Sequence, residues 1–218
     1  MHKDLDNFES STAEFEVCIV GSGPAGLAIA SKLIEEDIKF VILESGDIHP
    51  HIQHQELNKG YSKGQRKLNL VNSRLRCFGG GGKLWAGVSR PMDVSDFEKG
   101  HLQYSGWPIN YTILEKYYKE AANIFGLDYE AFFNEDWRKQ TSLAVRFDRF
   151  AQSGGILRGV SYQRASIKNR DLTNRYQETF FASKNCIVIT NATVVDLVST
   201  KKNFVKHVLA KSLSGKTI

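Results

Sequence analysis

The sequence predicts an α/β fold built around a parallel sheet. Three features predict it: an apolar run ending at a glycine-rich turn, a helix-spaced stretch directly after that turn, and a second apolar run that closes the unit. Phe15 to Val20 is short, apolar and β-branched, and it runs straight into Gly21. From Pro24 to Glu36 the apolar residues Leu27, Ala30 and Ile34 recur at helical spacing. Lys39-Phe40-Val41-Ile42-Leu43-Glu44 is then a second buried strand. A helix between two strands carries the chain back to the starting edge, so the strands are expected to lie parallel.

The remaining elements follow in order. Residues 1–14 are polar and read as a loose arm. Residues 45–106 are glycine-rich and aperiodic, and a loop of that length inside a compact domain is usually functional. Asn110 can cap a helix starting at Tyr111, with Leu114, Tyr117, Tyr118, Ala121 and Phe125 on its apolar face and Gly126 as its stop. Residues 128–170 mix periodicities and yield no assignment, whereas Leu172 to Ser183 reads as a helix. Three strand-like runs come next, Cys186–Thr190, Thr193–Ser199 and Phe204–Leu213, punctuated by Asn191 and by Thr200-Lys201-Lys202-Asn203. Their spacing predicts an antiparallel β-meander. Gly215-Lys216-Thr217-Ile218 reads as the start of a further strand, so a C-terminally truncated chain is expected. The expected division is a polar arm at 1–14, a nucleotide-binding domain at 15–127, a cap or substrate-side insertion at 128–184 and a returning, incomplete meander at 185–218.

Composition narrows the function classes. The 218 residues are 41% hydrophobic and 24% charged, the ordinary globular range. The net charge of +5 comes from 29 basic and 24 acidic residues without a block of like charge, which gives no support to nucleic-acid binding. Cys18, Cys77 and Cys186 lack metal-ligand spacing; Cys18 and Cys186 read as small buried hydrophobes within strands, and Cys77 as a loop thiol beside glycines. His49, His51 and His54 lack partner acids in a regular frame and read as a polar loop. No signal peptide or membrane span is legible, so a cytoplasmic location is expected and the triplets at Asn110 and Asn191 read as accidents of composition.

Gly21-Ser22-Gly23-Pro24-Ala25-Gly26 fits the spacing G-x-G-x-x-G. Among 18 glycines that spacing alone is weak evidence; between a strand and an amphipathic helix it becomes strong. Gly21 allows the tight turn, Gly23 lets backbone approach a pyrophosphate, and Gly26 lets helix and strand pack closely. The helix N-terminus presents unpaired amides and a positive dipole end to the phosphates. Glu44, at the end of the second strand, can hydrogen-bond ribose hydroxyls and disfavours a 2′-phosphate, and so NADP. The rival reading is a tight turn with a surface glutamate. The turn itself leaves FAD and NAD open.

The stretch Val-Cys-Ile-Val-Gly-Ser-Gly-Pro-Ala-Gly-Leu-Ala at 17–28, with Val-Ile-Leu-Glu-Ser-Gly at 41–46, closely resembles FAD-binding flavoproteins. A second cluster runs Arg74-Leu75-Arg76-Cys77-Phe78-Gly79-Gly80-Gly81-Gly82-Lys83-Leu84-Trp85-Ala86-Gly87. Consecutive glycines are entropically costly and mark places where side chains cannot fit or φ must be unusual. A hinge is the alternative, but Phe78, Leu84 and Trp85 argue for packed structure. With Arg90-Pro91-Met92-Asp93, Asp96-Phe97-Glu98, Ser105-Gly106-Trp107-Pro108-Ile109 and Tyr117-Tyr118, this segment resembles the glucose–methanol–choline (GMC) oxidoreductases. It is especially similar to the branch of pyranose oxidase and bacterial sugar and polyol oxidoreductases.

That resemblance implies a Rossmann-like FAD-binding domain with part of a cap. It implies cofactor contacts at Gly21 to Gly26, Glu44, Ser45, Arg76, Gly79, Gly80, Gly81, Gly82, Leu84 and Trp85, and at Val194, whose backbone would meet the adenine. Leu84 stands where some members carry a flavin-linked histidine, so FAD is expected to be non-covalent; Gly81 and Gly82 replace the usual hydroxyl residues. The implied activity is oxidation of CH–OH groups of a sugar, polyol or alcohol, with hydride passing to flavin N5 and the electron acceptor open. The family's catalytic histidine has no counterpart among His2, His49, His51, His54, His101 and His207, so no catalytic residue is assigned. A second polypeptide supplying the missing region, a catalytically silent FAD-binding fragment, and a flavin monooxygenase or halogenase are the alternatives.

Overall fold

The computed structural model describes residues 1–100, 106–133, 160–200 and 204–218, so most of the stretch at 128–170 that resists assignment from sequence lies outside the described residues. In chain order the strands are β1 (His2–Asp4), β2 (Val17–Val20), β3 (Phe40–Leu43), β4 (Val88–Ser89), β5 (Gln163–Arg164), β6 (Cys186–Thr190), β7 (Thr193–Ser199) and β8 (Val205–Lys211). The helices are α1 (Pro24–Glu35), α2 (Ile52–Glu56), α3 (Tyr111–Phe125), α4 (Ile167–Arg170) and α5 (Thr173–Ala182). The chain divides into two units, residues 1–85 with 171–218 and residues 86–170. The dividing points therefore differ from those read in the sequence: α3 goes with the second unit and α5 with the first.

The first unit is built on a four-stranded parallel sheet in the order β1-β6-β3-β2. Every residue of β3 is buried, as expected for an inner parallel strand covered on both faces. Val41 and Leu43 pack with Leu5, Ile189, Ala192 and Ala210 on one face, and strand alternation sends Phe40 and Ile42 to the other. Helix α1 packs on β2 and β3 through Leu27 and Ala30, and α5 packs on β6. The β-α-β unit read from the sequence is thus present with its boundaries moved by at most a few residues.

Three sequence readings change. Residues 1–14 are not a loose arm throughout. His2–Asp4 pairs with Val188–Thr190 as an edge strand, and Leu5 is fully buried. Polar composition misled here because an outer strand tolerates polar side chains when one apolar residue anchors it. Cys186–Thr190 is the second departure, since it lies in the parallel sheet, not in the meander. Hydrophobic pattern identifies a buried strand but carries no information about partner or direction. The antiparallel part is β7 with β8, onto which the chain folds back through paired bonds between Ala210 and Ile218 (2.9 and 3.0 Å). The third is Cys18, which is exposed: among the described residues β2 is the outer strand of the sheet, with β3 beside it.

The second unit holds the β4–β5 pair, α3, α4 and a 3₁₀ turn at Val94–Phe97. Asn110 caps α3 by accepting from the Ile113 amide (3.1 Å), and Gly126 ends it at φ +66°. Its buried stripe runs through Tyr118 and Ala122 toward Tyr129 and Phe132, whereas Tyr117 is exposed. Arg90 pairs with Asp93 (2.8 Å), Asp96 accepts from the Asp93 amide (2.8 Å), and buried Phe97 meets Tyr111 edge-on. Among the described residues no helix is long and apolar enough to cross a membrane.

Two outcomes check this arrangement. Leu5→Ala should lower stability by about 2–5 kcal/mol in urea unfolding, the range for a buried leucine, whereas a loose arm would give a change near zero. Burial pushes the thiol of Cys77 up to about 11 and that of Cys186 up to about 12. Iodoacetamide at pH 8 should therefore modify exposed Cys18 first in the native chain; equal rates at all three thiols would contradict the fold.

Candidate functional site

The first glycine turn sits between β2 and α1, where the chain must reverse from strand to helix within four residues. Gly21 takes φ +90°, a conformation that side chains disfavour, and its amide donates to Leu43 O (2.8 Å), so the turn leaves the sheet beside the end of β3. Gly26 lies so close to the turn that a Cβ there would stand 2.2 Å from Gly21 O. Gly23 is different: it has φ −65°, and a Cβ there would meet nothing within 4 Å. The fold therefore requires glycine at 21 and 26 but not at 23.

Helix α1 begins without a capping side chain, because its N-cap residue is Gly23 and Pro24 follows. Pro24 has no amide to satisfy, and the exposed first turn directs the Ala25 and Gly26 amides outward from the helix end. Such a terminus favours an anion through both its amides and its dipole.

The second glycine cluster is folded against the first. Gly79 and Gly80 take φ +93° and +49°, and Gly80 to Lys83 forms a 3₁₀ turn. A Cβ on Gly80 would lie 3.4 Å from the Gly23 Cα, and one on Gly82 would lie 3.1 Å from Pro24 Cγ. Gly81, like Gly23, has open space where a Cβ would be. Phe78, wholly buried, anchors the start of the run, and its amide donates to Asp47 O (2.8 Å).

Ser22 joins the pieces. Its hydroxyl donates to Glu44 Oε2 (2.5 Å) and accepts from the Gly79 amide (3.1 Å), while its own amide also donates to Glu44 Oε2 (2.9 Å). Glu44 Oε1 accepts from the Gly46 amide (2.9 Å) and the Ser45 hydroxyl (3.3 Å). The sequence reading casts Glu44 as a ribose ligand; in the structure the residue is 5% exposed and its carboxylate holds the turn together. A glutamate at a strand end gives no sign of that task.

Other expected site residues lie at varying distances from this node. Arg76 turns toward α2, its Nε donating to Asn58 Oδ1 (2.7 Å) and its amide to Gln55 Oε1 (3.0 Å). Leu84 is 53% exposed and Trp85 half-buried. Val194 packs toward the core at the start of β7, two residues beyond Ala192, whose amide donates to Glu44 O (2.8 Å). His54, read as part of a polar loop, is buried in α2 and meets Asn191 Oδ1 (3.1 Å).

No protein-family model matches the chain. It is 27% identical over 140 residues to 2-methyl-1,2-propanediol dehydrogenase of Mycolicibacterium austroafricanum, an alignment taking in 54% of this chain and 25% of that protein. The fold is similar to that of pyridoxine 4-oxidase from Mesorbium loti, with a TM-score of 0.52 at 17% identity over 94% of this chain and 47% of that one. It is also similar to a formate oxidase of Aspergillus oryzae RIB40 solved in connection with its FAD modification, with a TM-score of 0.52 at 15% identity over 96% of this chain and 44% of that one. The chain thus spans less than half the length of either solved structure. At these identities the likeness establishes the fold, which is the α/β fold with a parallel sheet expected from the sequence.

The two kinds of glycine separate experimentally. Gly26→Ala should lower stability by about 1–3 kcal/mol, as expected when backbone must shift around an added methyl group. Gly23→Ala should leave the unfolding midpoint unchanged or slightly raised, since its φ suits any residue. Equal destabilisation by both would show that Gly23 is packed, not open.

Proposed function

We propose that this chain is the FAD-binding part of a GMC-type oxidoreductase acting on the CH–OH group of a sugar, polyol or simple alcohol. One observation carries the cofactor half: two glycine motifs lie together at the uncapped N-terminus of α1, and Gly23 and Gly81 face open space that the fold itself does not require. A pyrophosphate needs amide donors ahead of it and no side chain in its way, and a glycine-lined helix N-terminus offers both. The resemblance of the flanking segments to GMC flavoproteins favours FAD over NAD. The likeness to a diol dehydrogenase, a pyridoxine oxidase and a formate oxidase supports the reaction class.

The residues fit the group in stated ways. The Ala25 and Gly26 amides would face the phosphates, and the Gly80–Gly82 backbone would lie along the same face. Both lone pairs of Glu44 Oε1 have internal donors, the Gly46 amide at 2.9 Å and the Ser45 hydroxyl at 3.3 Å, so a ribose hydroxyl would take the place of the longer Ser45 contact. Ser45, half-buried beside it, and the backbone at Val194 would border the adenosine. FAD, when bound, would supply the hydride acceptor for alcohol oxidation. Leu84 carries no nucleophile, so its chemistry excludes attachment through that position, which supports non-covalent binding.

Titration of the purified chain with FAD, followed by flavin fluorescence, tests this reading. Saturable quenching is expected, with yellow colour leaving the protein when it is denatured and filtered. Gly23→Val should weaken FAD by roughly 30- to 150-fold, equivalent to about 2–3 kcal/mol of lost charge-assisted hydrogen bonding. FAD affinity equal to that of the parent would sink the assignment, and colour retained after denaturation would sink the non-covalent part.

A further inference from the structure

The glycine run needs something to hold it. Gly79 to Gly82 carry no side chains, and glycine backbone is the freest there is. Phe78 fixes one end from inside the core. At the other end Leu84 is 53% exposed, which leaves Lys83 as the first side chain after the glycines that can hold them. The Lys83 ammonium does not point to solvent. It donates to Asp171 Oδ2 (3.2 Å) and to the Thr173 hydroxyl (2.9 Å), at the start of α5, and the ion pair is mostly buried, with 23% and 20% of the two side chains exposed.

The receiving end is itself rigid. Asp171 Oδ1 accepts from the Thr173 amide (3.0 Å) and hydroxyl (2.7 Å), and Thr173 is buried. Burial works to raise the Asp171 pKa, but Thr173 and the Lys83 ammonium outweigh it and hold the carboxyl below its usual range. Gly79 is pressed against this cluster: a Cβ there would stand 2.4 Å from Thr173 Cγ2 and 3.1 Å from Lys83 Cε. The amide of that same Gly79 donates to Ser22 in the first glycine turn.

We propose that Lys83 is a positioning residue for the dinucleotide site, its ammonium clamped by Asp171 and Thr173 so that the glycine run keeps the shape that lies against Gly23. This rests on the FAD reading above and adds to it. The clamp orders the run before any cofactor arrives, so binding does not have to do so. Its contribution is to affinity through preorganisation; Lys83 points toward α5, and no contact with the cofactor is invoked.

The test uses the intact chain with Lys83→Met, Lys83→Arg and Asp171→Asn, read by FAD titration and by amide exchange of the cofactor-free protein. Lys83→Met should raise the FAD Kd about tenfold, the scale of leaving one further residue to be ordered on binding, and should speed exchange at residues 80–85 by a similar factor. Exchange in β3 and β6 should stay as in the parent. Lys83→Arg, which keeps the charge, should restore most of both. Lys83→Met combined with Asp171→Asn should be no worse than the poorer single variant, since both remove the same contact. Parent-like affinity and exchange in Lys83→Met would overturn the proposal, as would an arginine no better than methionine or an exchange increase spread evenly through the sheet. A parent that takes no FAD overturns the reading of the preceding subsection instead, and the exchange at 80–85 then still decides whether Lys83 orders the run.

Discussion

The Ser22 hydroxyl stands between Glu44 Oε2 and the Gly79 amide, and through those two contacts the end of β3, the turn before α1 and the second glycine run become one object. Each piece alone would be loose. A glycine turn has little to define it beyond its backbone, and the run at 79–82 has less still. Buried, the carboxylate of Glu44 is costly unless its lone pairs are occupied, and the Ser22 and Gly46 amides with the Ser22 and Ser45 hydroxyls occupy them. The same bonds that make the buried charge tolerable therefore shape the surface on which the proposed cofactor would rest.

The sheet makes that node possible. Four parallel strands with β3 buried on all sides place Leu43 and Glu44 at a carboxyl edge, and open α/β sheets bind ligands beyond that edge. Apolar residues at 40–43 and 186–190 hold β3 and β6 in register, so Glu44 emerges beside Ala192 at the same level as the turn from β2. A one-residue slip of β3 would turn the carboxylate to the opposite face and separate it from Ser22. Packing in the sheet thus determines the geometry of a polar site that contributes no apolar contact of its own.

What the sequence made legible follows the range over which each feature acts. The β-α-β unit, the caps at Asn110 and Gly126 and the two glycine motifs are local, written in spacing and turn chemistry, and the structure contains them. Non-local features were not legible. His2–Asp4 pairs with residues 186 positions away, β6 takes a direction that its composition does not encode, and Arg76 finds Asn58 only after the chain has folded. Glu44 is intermediate: its place at a strand end is local, but its bond to Ser22 spans 22 residues and depends on the register of the sheet. The spacing of the motif does not single out Lys83, because its partner Asp171 lies 88 residues on.

The G-x-G-x-x-G spacing also merges two demands that the structure separates. Gly26 and Gly46 are required by backbone that approaches within 2.2 Å of where a Cβ would be, so they would be glycines in a protein that bound nothing. Gly23 and Gly81 meet no such obstacle, and φ at Gly23 is one that any residue adopts. At an N-cap glycine is itself a favoured residue, and its missing side chain leaves the exposed amides of the first turn open to an anion. Gly23 and Gly81 come one from each motif, and the motifs meet where a Cβ on Gly80 would lie 3.4 Å from the Gly23 Cα. A ligand is thus indicated not by how many glycines the chain has but by which of them its own packing leaves unexplained.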